Sequence, residues 1–421
     1  MRLPDPPHRA PVLAGFSGGL DSTVLLHLLS RRDAGLRAIH VHHGLHAGAD
    51  GWAAHCRRVC EAWGVPLQIV RVDVDLASGL GIEGAAREAR HAAFATALDE
   101  GEILALAHHR DDQAETFLLR ALRGSGCDGL AAMRPWRPHA QGWLWRPLLD
   151  VPRDALRAYA RAQGLQWIED PANDRLDLDR NFLRNAVLPL LLQRWPDAAG
   201  SFARSAGLCA QATDLLEAED AAALEAARLD PRTLDAGVLK ALPAARRARV
   251  LRRWVAELRV PPLPGNGIAR IERDLLDARR DATPCFDWRG VRLRRWRGLL
   301  HLEAIAPPLP SAWTRPWDGS APLALPGGDT LHLIGAARFD APLRAQPRRG
   351  GERLVLPGRT HSHALKQVLQ DIGMPPWERA RLPLLLDADG ALLAAGDAVL
   401  SARLADWLQA RAARLHWARL A

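Results

Sequence analysis

The chain has 421 residues, of which 48% are apolar and 25% charged. That is the balance of an ordinary globular protein with room for two or three domains, and it excludes disordered and fibrous classes. Fifty-six basic side chains against 48 acidic ones leave +8, which favours a polyanionic partner such as nucleic acid. Only Lys240 and Lys366 are lysines, so 54 of the 56 basic residues are arginine, a skew that fits a GC-rich coding bias. The five cysteines (Cys56, Cys60, Cys127, Cys209, Cys285) form no C-x-x-C pair, so free thiols in a reducing compartment are expected. Pro4, Pro6 and Pro7 precede a short apolar run unlike a signal peptide. No apolar stretch is long enough to span a bilayer. The expectation is a cytoplasmic chain with no membrane partner; nothing points to a protein partner.

In chain order, Val12–Phe16, Ala38–His42, Leu67–Val74 and Ile103–Ala107 read as buried strands rich in Val, Ile and Leu. Helical patterns lie between and after them, at Ser22–Leu29, Gly51–Trp63, Ile82–Leu98 and Asp111–Leu122. This alternation predicts a parallel sheet with right-handed crossovers, whose ligands bind at the carboxyl ends of the strands. Ser17, His42, His43, Asp73, Asp75, His108 and His109 fall on that edge. Strand signals fade from about Asp197, and residues 201–260 read as Ala-, Leu- and Arg-rich helices, with a long one over Ala206–Leu229. Prolines at 307, 308, 310, 316 and 322 mark a linker, and the tail returns to short strands around one helix near His363–Ile372. The fold class is α/β: a parallel-sheet catalytic domain over 1–200, an all-α module over 201–305, a Pro-rich linker over 306–321 and a small α+β domain over 322–421.

The strongest motif is Ser17-Gly18-Gly19-Leu20-Asp21-Ser22, directly after a strand and before a helix. Two glycines let successive backbone N–H groups face a ligand, and the helix N-terminus behind them favours an anion. Asp21 is out of place beside an anion unless a cation such as Mg²⁺ bridges the two. The plainer reading is a Gly-rich turn capped by Asp21 or Ser22. No G-K-[ST] follows, so the loop is not a Walker A. The second motif, His108-His109-Arg110-Asp111-Asp112-Gln113-Ala114-Glu115-Thr116, opens a helix at a strand end. Helical spacing crowds Asp111, Asp112 and Glu115 together. Acids in a first turn also complement the helix dipole, but three acids beside two histidines suit Mg²⁺ or a cationic amine. The third comprises Ile168-Glu169-Asp170-Pro171-Ala172-Asn173 and Arg180-Asn181-Phe182-Leu183-Arg184, each part a plain turn or cap by itself.

The S-G-G-x-D-S loop resembles the PP-loop ATP pyrophosphatases. With His40-Val41-His42-His43-Gly44-Leu45, Gly124-Ser125-Gly126 and the tail segments Gly351-Glu352-Arg353, Pro357-Gly358-Arg359, Leu365-Lys366 and Met374–Leu384, the chain resembles the bacterial tRNA(Ile)-lysidine synthetase family from about residue 12 to 420. His46 stands where that family usually has arginine, and Ala172 replaces a usual hydroxyl residue.

The resemblance implies an enzyme that uses ATP and Mg²⁺ to join free L-lysine to the wobble cytidine of the CAU-anticodon tRNA(Ile), through an adenylylated cytidine. It implies that Ser17, Gly18, Gly19, Leu20, Asp21 and Ser22 hold ATP, with the metal on Asp21 and with His42 and Arg87 also on the nucleotide side. Arg87, His108 and Arg180 would steady the α-phosphate, and Asp112 and Glu115 would take the lysine amine. Asp21, His108, Asp112, Glu115 and Arg180 form the expected catalytic set. Arg87 could instead pair with Glu83 on the helix surface. Arg246, Arg249, Arg252 and Arg253, and in the tail Arg344, Arg348, Arg349, Arg353 and Arg359, are candidate tRNA-phosphate contacts or simply solvated faces. The alternatives are tRNA thiolation on the same scaffold, with Cys127 as the candidate thiol, an amidating ligase, or a tRNA-binding protein with a relict loop.

Overall fold

The computed structural model describes residues 1–419 apart from Asp33, Ala34, Leu76, Leu80, Arg280, Asp281 and Ala306, and without the side chains of Asn173 and Asp174. The Asn173 side chain of the third motif, the first residue of the expected linker and the last two of the tail domain thus lie outside the described residues. The chain divides into two compact units, Met1–Ala218 and Glu219–Ala421.

In the first unit, β1 (Val12–Gly15), β2 (Leu36–His42), β3 (Leu67–Arg71) and β4 (Ile103–Ala105) alternate with α1 (Leu20–Ser30), α2 (Ala49–Ala62), α3 (Gly81–Ala97) and α4 (Arg110–Leu122). After α4 come α5 (Cys127–Leu130), β5 (Trp136–His139), β6 (Gly142–Trp145) and α6 (Arg153–Ala162). The sheet order is β3-β2-β1-β4-β6-β5, parallel except for the β5–β6 pair. The two-residue period of a strand explains its double-sided burial. Val12, Ala14 and Phe16 pack with Val24, Leu25 and Leu28 of α1 and with Cys56 and Cys60 of α2. Leu13 faces the other way, among Ile39, Phe94, Leu98 and Leu104. The third expected strand ends sooner, at Arg71 rather than Val74, because its register partner β2 ends at His42.

From β1 the chain first builds outward through β2 and β3, then returns to place β4 on the other side of β1. The crevice at the carboxyl ends of β1 and β4 is the switch point of an open α/β sheet, where ligands bind. The Ser17–Ser22 loop and the His108–His109 pair both emerge there.

The second unit corrects one expectation. The helical pattern is present, in Ala198–Ala227 running across the division and in Ala236–Ala241 and Ala244–Glu257. The middle module is nevertheless not all-α: the antiparallel strands Cys285–Trp288, Val291–Trp296 and Leu299–Ala304 join Arg228–Asp230 and Thr233–Asp235 in one sheet. Phe286, Leu293, Leu300 and Leu302 on that sheet bury Trp254 and Leu251. The Pro-rich stretch contributes a short strand, Arg315–Trp317, and buries Leu309 and Trp317 in the tail core with Leu343, Leu384 and Trp417. The expected tail helix spans Leu365–Asp371, but it is not alone: Pro376–Arg381 and Ala402–Gln409 are also helical. Among the described residues no helix is long and apolar enough to cross a membrane.

Candidate active site

The glycine loop is held from both sides. Gly18 has φ +85°, a conformation that L side chains rarely adopt, and a Cβ there would lie 2.9 Å from Ile168 Cδ1 and 3.0 Å from Cys56 Sγ. The Ile168 amide donates to the Gly18 carbonyl at 2.9 Å, tying the third motif to the first. Ser17 Oγ and Ser22 Oγ are 3.0 Å apart, and Ser22 Oγ donates to the Gly19 carbonyl at 3.0 Å. The N-cap of α1 is Gly19, which has no side chain to accept from the first amides of the helix.

Asp21 stands on the first turn of α1, 29% exposed, with Oδ2 3.6 Å from His109 Nε2. Its Oδ1 is buried without a hydrogen-bond partner, and Arg153 Nε lies 3.9 Å away. An orphaned carboxylate oxygen beside an anion cradle suits a hard cation. Mg²⁺ is usually held by one or two carboxylates plus phosphate oxygens and water, so Asp21 fits, although no cluster of three His, Cys, Asp or Glu side chains suited to a metal occurs among the described residues.

His109 caps α4. Its amide donates to Asp112 Oδ2 at 3.0 Å, while the Asp112 amide approaches His109 Nδ1 at 3.4 Å. The ring is 1% exposed and surrounded by acids: Asp21, Asp111 at 3.6 Å and Asp112 at 3.4 Å. Burial opposes its charge, but the nearby carboxylates of Asp111, Asp21 and Asp112 outweigh that and raise its pKa to about 9. The surrounding acids thus favour the charged ring, and His109 links the loop to the acid pair.

Asp112 and Glu115 bind two guanidinium groups. Arg180 Nε is 2.7 Å from Glu115 Oε2 and Arg180 Nη2 is 3.0 Å from Asp112 Oδ1. Arg184 Nε is 2.6 Å from Glu115 Oε1, and Arg184 Nη2 reaches Asp112 Oδ1 and Glu115 Oε2 at 2.9 Å. Glu115 is fully buried and Asp112 8% exposed. Burial pushes the Asp112 carboxyl up, but His109, Arg180 and Arg184 together hold it well below the usual carboxylate range. Arg180 lies on α7 (Asp179–Phe182), and Arg184 lies in the π-helical turn Leu183–Val187 that continues it. Asn181, between them, donates to the Ala172 carbonyl at 2.9 Å, closing the third motif on itself.

The remaining expected residues lie outside the acid pair. His108 does not join the acid pair: its Nδ1 accepts from Arg146 Nε at 3.2 Å. Burial, joined by the charges of Arg146, Arg180 and Arg90, holds its pKa well below 6.5 against the pull of Asp112. His42 is buried at the end of β2, with Nε2 3.1 Å from Asp50 Oδ1. Arg87, on α3, makes no ion pair among the described residues, with Glu83 or any other acid; burial and the like charge of Arg180 lower its pKa. His46 accepts from the Gly48 amide at 2.9 Å and stacks on Trp52 at 4.8 Å.

Sequence reasoning put His109 on the ligand edge and Arg184 in the third motif without giving either a role, and it passed over Arg146. Arg184 was accessible, since it follows Arg180 by one helical turn. Arg146 carries no local signal. The arginine stripe at 246–253 proves largely self-satisfied: Arg246 pairs with Glu219, Arg249 with Asp220 and Arg253 with Glu257. In the tail Arg353 donates to Ser362 and Arg348 lies 3.9 Å from Glu352, whereas Arg344, Arg349 and Arg359 are exposed without an ion pair among the described residues. Cys127 is exposed on α5. Burial pushes the Cys56 and Cys60 thiols up to about 12 and about 11.

Comparison with known proteins agrees with this geometry. Family models match over residues 2–191 (PP-loop domain), 234–301 (TilS substrate binding domain) and 343–417 (TilS substrate C-terminal domain). The chain is 57% identical to the tRNA(Ile)-lysidine synthase of Xanthomonas axonopodis pv. citri, covering 97% of this chain and 94% of that one. It is 56% identical to the same enzyme of Xylella fastidiosa (99% and 96% covered) and 45% identical to that of Pseudomonas aeruginosa (90% and 88%). A PP-loop cradle, a carboxylate pair at the switch point and matches extending over nearly the full chain lead to one conclusion: the chain belongs to the tRNA(Ile)-lysidine synthase family.

Proposed function

We propose that this site carries out both halves of lysidine formation, with ATP at the glycine loop and the amine of free L-lysine at Asp112 and Glu115. The observation that supports it is His109 Nε2, within 3.6 Å of Asp21 on the loop and 3.4 Å of Asp112 in the acid pair. One histidine spans both, so activation and transfer share a site.

In the first half the cytosine ring oxygen of the wobble cytidine attacks the α-phosphorus and pyrophosphate leaves. The loop amides and Ser17 and Ser22 suit the departing phosphates. Mg²⁺, held through Asp21, would neutralise charge on them. Arg87 adds positive charge on the nucleotide side. In the second half the lysine ε-amine attacks the ring carbon and AMP leaves with the oxygen. Free lysine is mostly ammonium near neutral pH, since its reference pKa is about 10.4. The amine must therefore be bound as a cation and then deprotonated. Asp112 and Glu115 already bind guanidinium groups, so they are suited to an organic cation. The lysine ammonium takes the place of one guanidinium, and a carboxylate accepts its proton.

The test is incubation with tRNA(Ile) transcript, ATP and labelled lysine. Label in the RNA matched by AMP release is expected. Adenylylation without lysine incorporation would overturn the lysine assignment.

A further inference from the structure

Arg146 is a buried cation without a carboxylate partner. It follows β6 directly, is 6% exposed, and forms no ion pair among the described residues. Its guanidinium is fastened at two points. Nη1 donates to the Arg134 carbonyl at 2.7 Å, and Nε donates to His108 Nδ1 at 3.2 Å. The parallel pairing of β6 with β4 brings these residues together, since His108 follows β4 as Arg146 follows β6.

Guanidinium has donors only. The His108 nitrogen facing it must therefore be the acceptor, and the single hydrogen of the neutral ring sits on Nε2. A second hydrogen on Nδ1 would point at the Arg146 N–H. The groups around the ring act mostly in the same direction: burial, Arg146, Arg180 and Arg90 disfavour the imidazolium, and Asp112 alone favours it. We propose that Arg146 is a positioning residue that fixes His108 as the Nε2–H tautomer, a neutral hydrogen-bond donor to a phosphate oxygen. In that form Nε2 cannot accept a proton, so the proton of the lysine amine goes to Asp112 or Glu115. The inference rests on the reading of His108 as a nucleotide-side residue, and its test separates the two.

Histidine ¹⁵N shifts of the full chain, with His108→Gln to assign the signal, read the tautomer directly. The expected wild-type result is an unprotonated Nδ1 and a protonated Nε2, unchanged from about pH 5.5 to about pH 8.5. Arg146→Met should mix the tautomers and slow tRNA-dependent pyrophosphate release about tenfold with little change in the ATP KM. Arg146→Lys, which keeps a donor and a charge, should restore both. A thermal melt identifies a variant that has lost its fold, in which case the wild-type spectrum decides. A hydrogen on Nδ1 in the wild type, or an unchanged tautomer in folded Arg146→Met, would overturn the positioning role. Unchanged pyrophosphate release in His108→Ala would overturn the donor role and leave the tautomer assignment standing.

Discussion

The Arg184 guanidinium grips both oxygens of the fully buried Glu115, 2.6 Å from Oε1 and 2.9 Å from Oε2. A carboxylate so engaged is ready for a cation but not free for one. Removing one partner of a buried ion pair costs about 3–5 kcal/mol because the other charge is left uncompensated. A lysine ammonium that takes over the position avoids that cost.

The first prediction follows from this competition. Arg184→Ala removes the resident cation and should lower the lysine KM about tenfold, equivalent to about 1.4 kcal/mol. Glu115→Gln removes the charge instead and should raise it, with the ATP KM nearly unchanged in both. Steady-state lysine titrations at saturating ATP and tRNA check this. A raised lysine KM in Arg184→Ala would mean that Arg184 supports the amine site and does not compete for it.

The second concerns Asp21. Its orphaned Oδ1 is the atom suited to a metal, so Asp21→Asn should abolish tRNA-dependent pyrophosphate release while leaving tRNA binding within about twofold. Filter binding and pyrophosphate assays on one preparation separate this from misfolding. Retained pyrophosphate release would remove the metal from Asp21.

The third is a pH effect on stability. Asp112 has a depressed folded pKa, so its stabilisation is fully present above its unfolded value near 3.9 and is lost as pH falls towards the folded one. A single such group contributes a slope of about 1.4 kcal/mol per pH unit within that window. Unfolding free energies of the wild type should fall more steeply below about pH 4 than those of Asp112→Asn. Parallel curves would show that Asp112 does not titrate on unfolding.

The fourth concerns RNA. Arg344, Arg349 and Arg359 are exposed tail cations without ion pairs among the described residues, whereas the 246–253 stripe is largely paired. Replacing all three tail residues with alanine should flatten the salt dependence of tRNA binding. The log–log slope should fall by about 0.7–0.9 for each phosphate that the arginines neutralise. Substitutions of Arg246 and Arg253 should change it less. The reverse order would assign phosphate binding to the helical segment.

How much of this was legible in the sequence depends on the range of the interaction concerned. Apolar runs of period two and helical spacing are local, so four strands, the helices between them and the ligand edge could be read directly. The glycine loop was equally plain, because the turn that needs Gly18 and the helix behind it are contiguous. The acidic motif showed which side chains share a helix face, but not what they bind. Sequence by itself could not show that Arg180 and Arg184 fill Asp112 and Glu115, more than 60 residues away. Nor could it separate the fates of His108 and His109. The strands over 285–304 do alternate, as in Val291-Arg292-Leu293-Arg294, but each is only four to six residues long, and pairing with one another and packing against Trp254 made that stretch a sheet. The same holds for the arginines at 246 and 249, whose acids Glu219 and Asp220 come from another helix, whereas Arg253 meets Glu257 one turn along its own. Local geometry determined the scaffold and the identity of the charged groups; the tertiary structure decided which charges are already spent on one another.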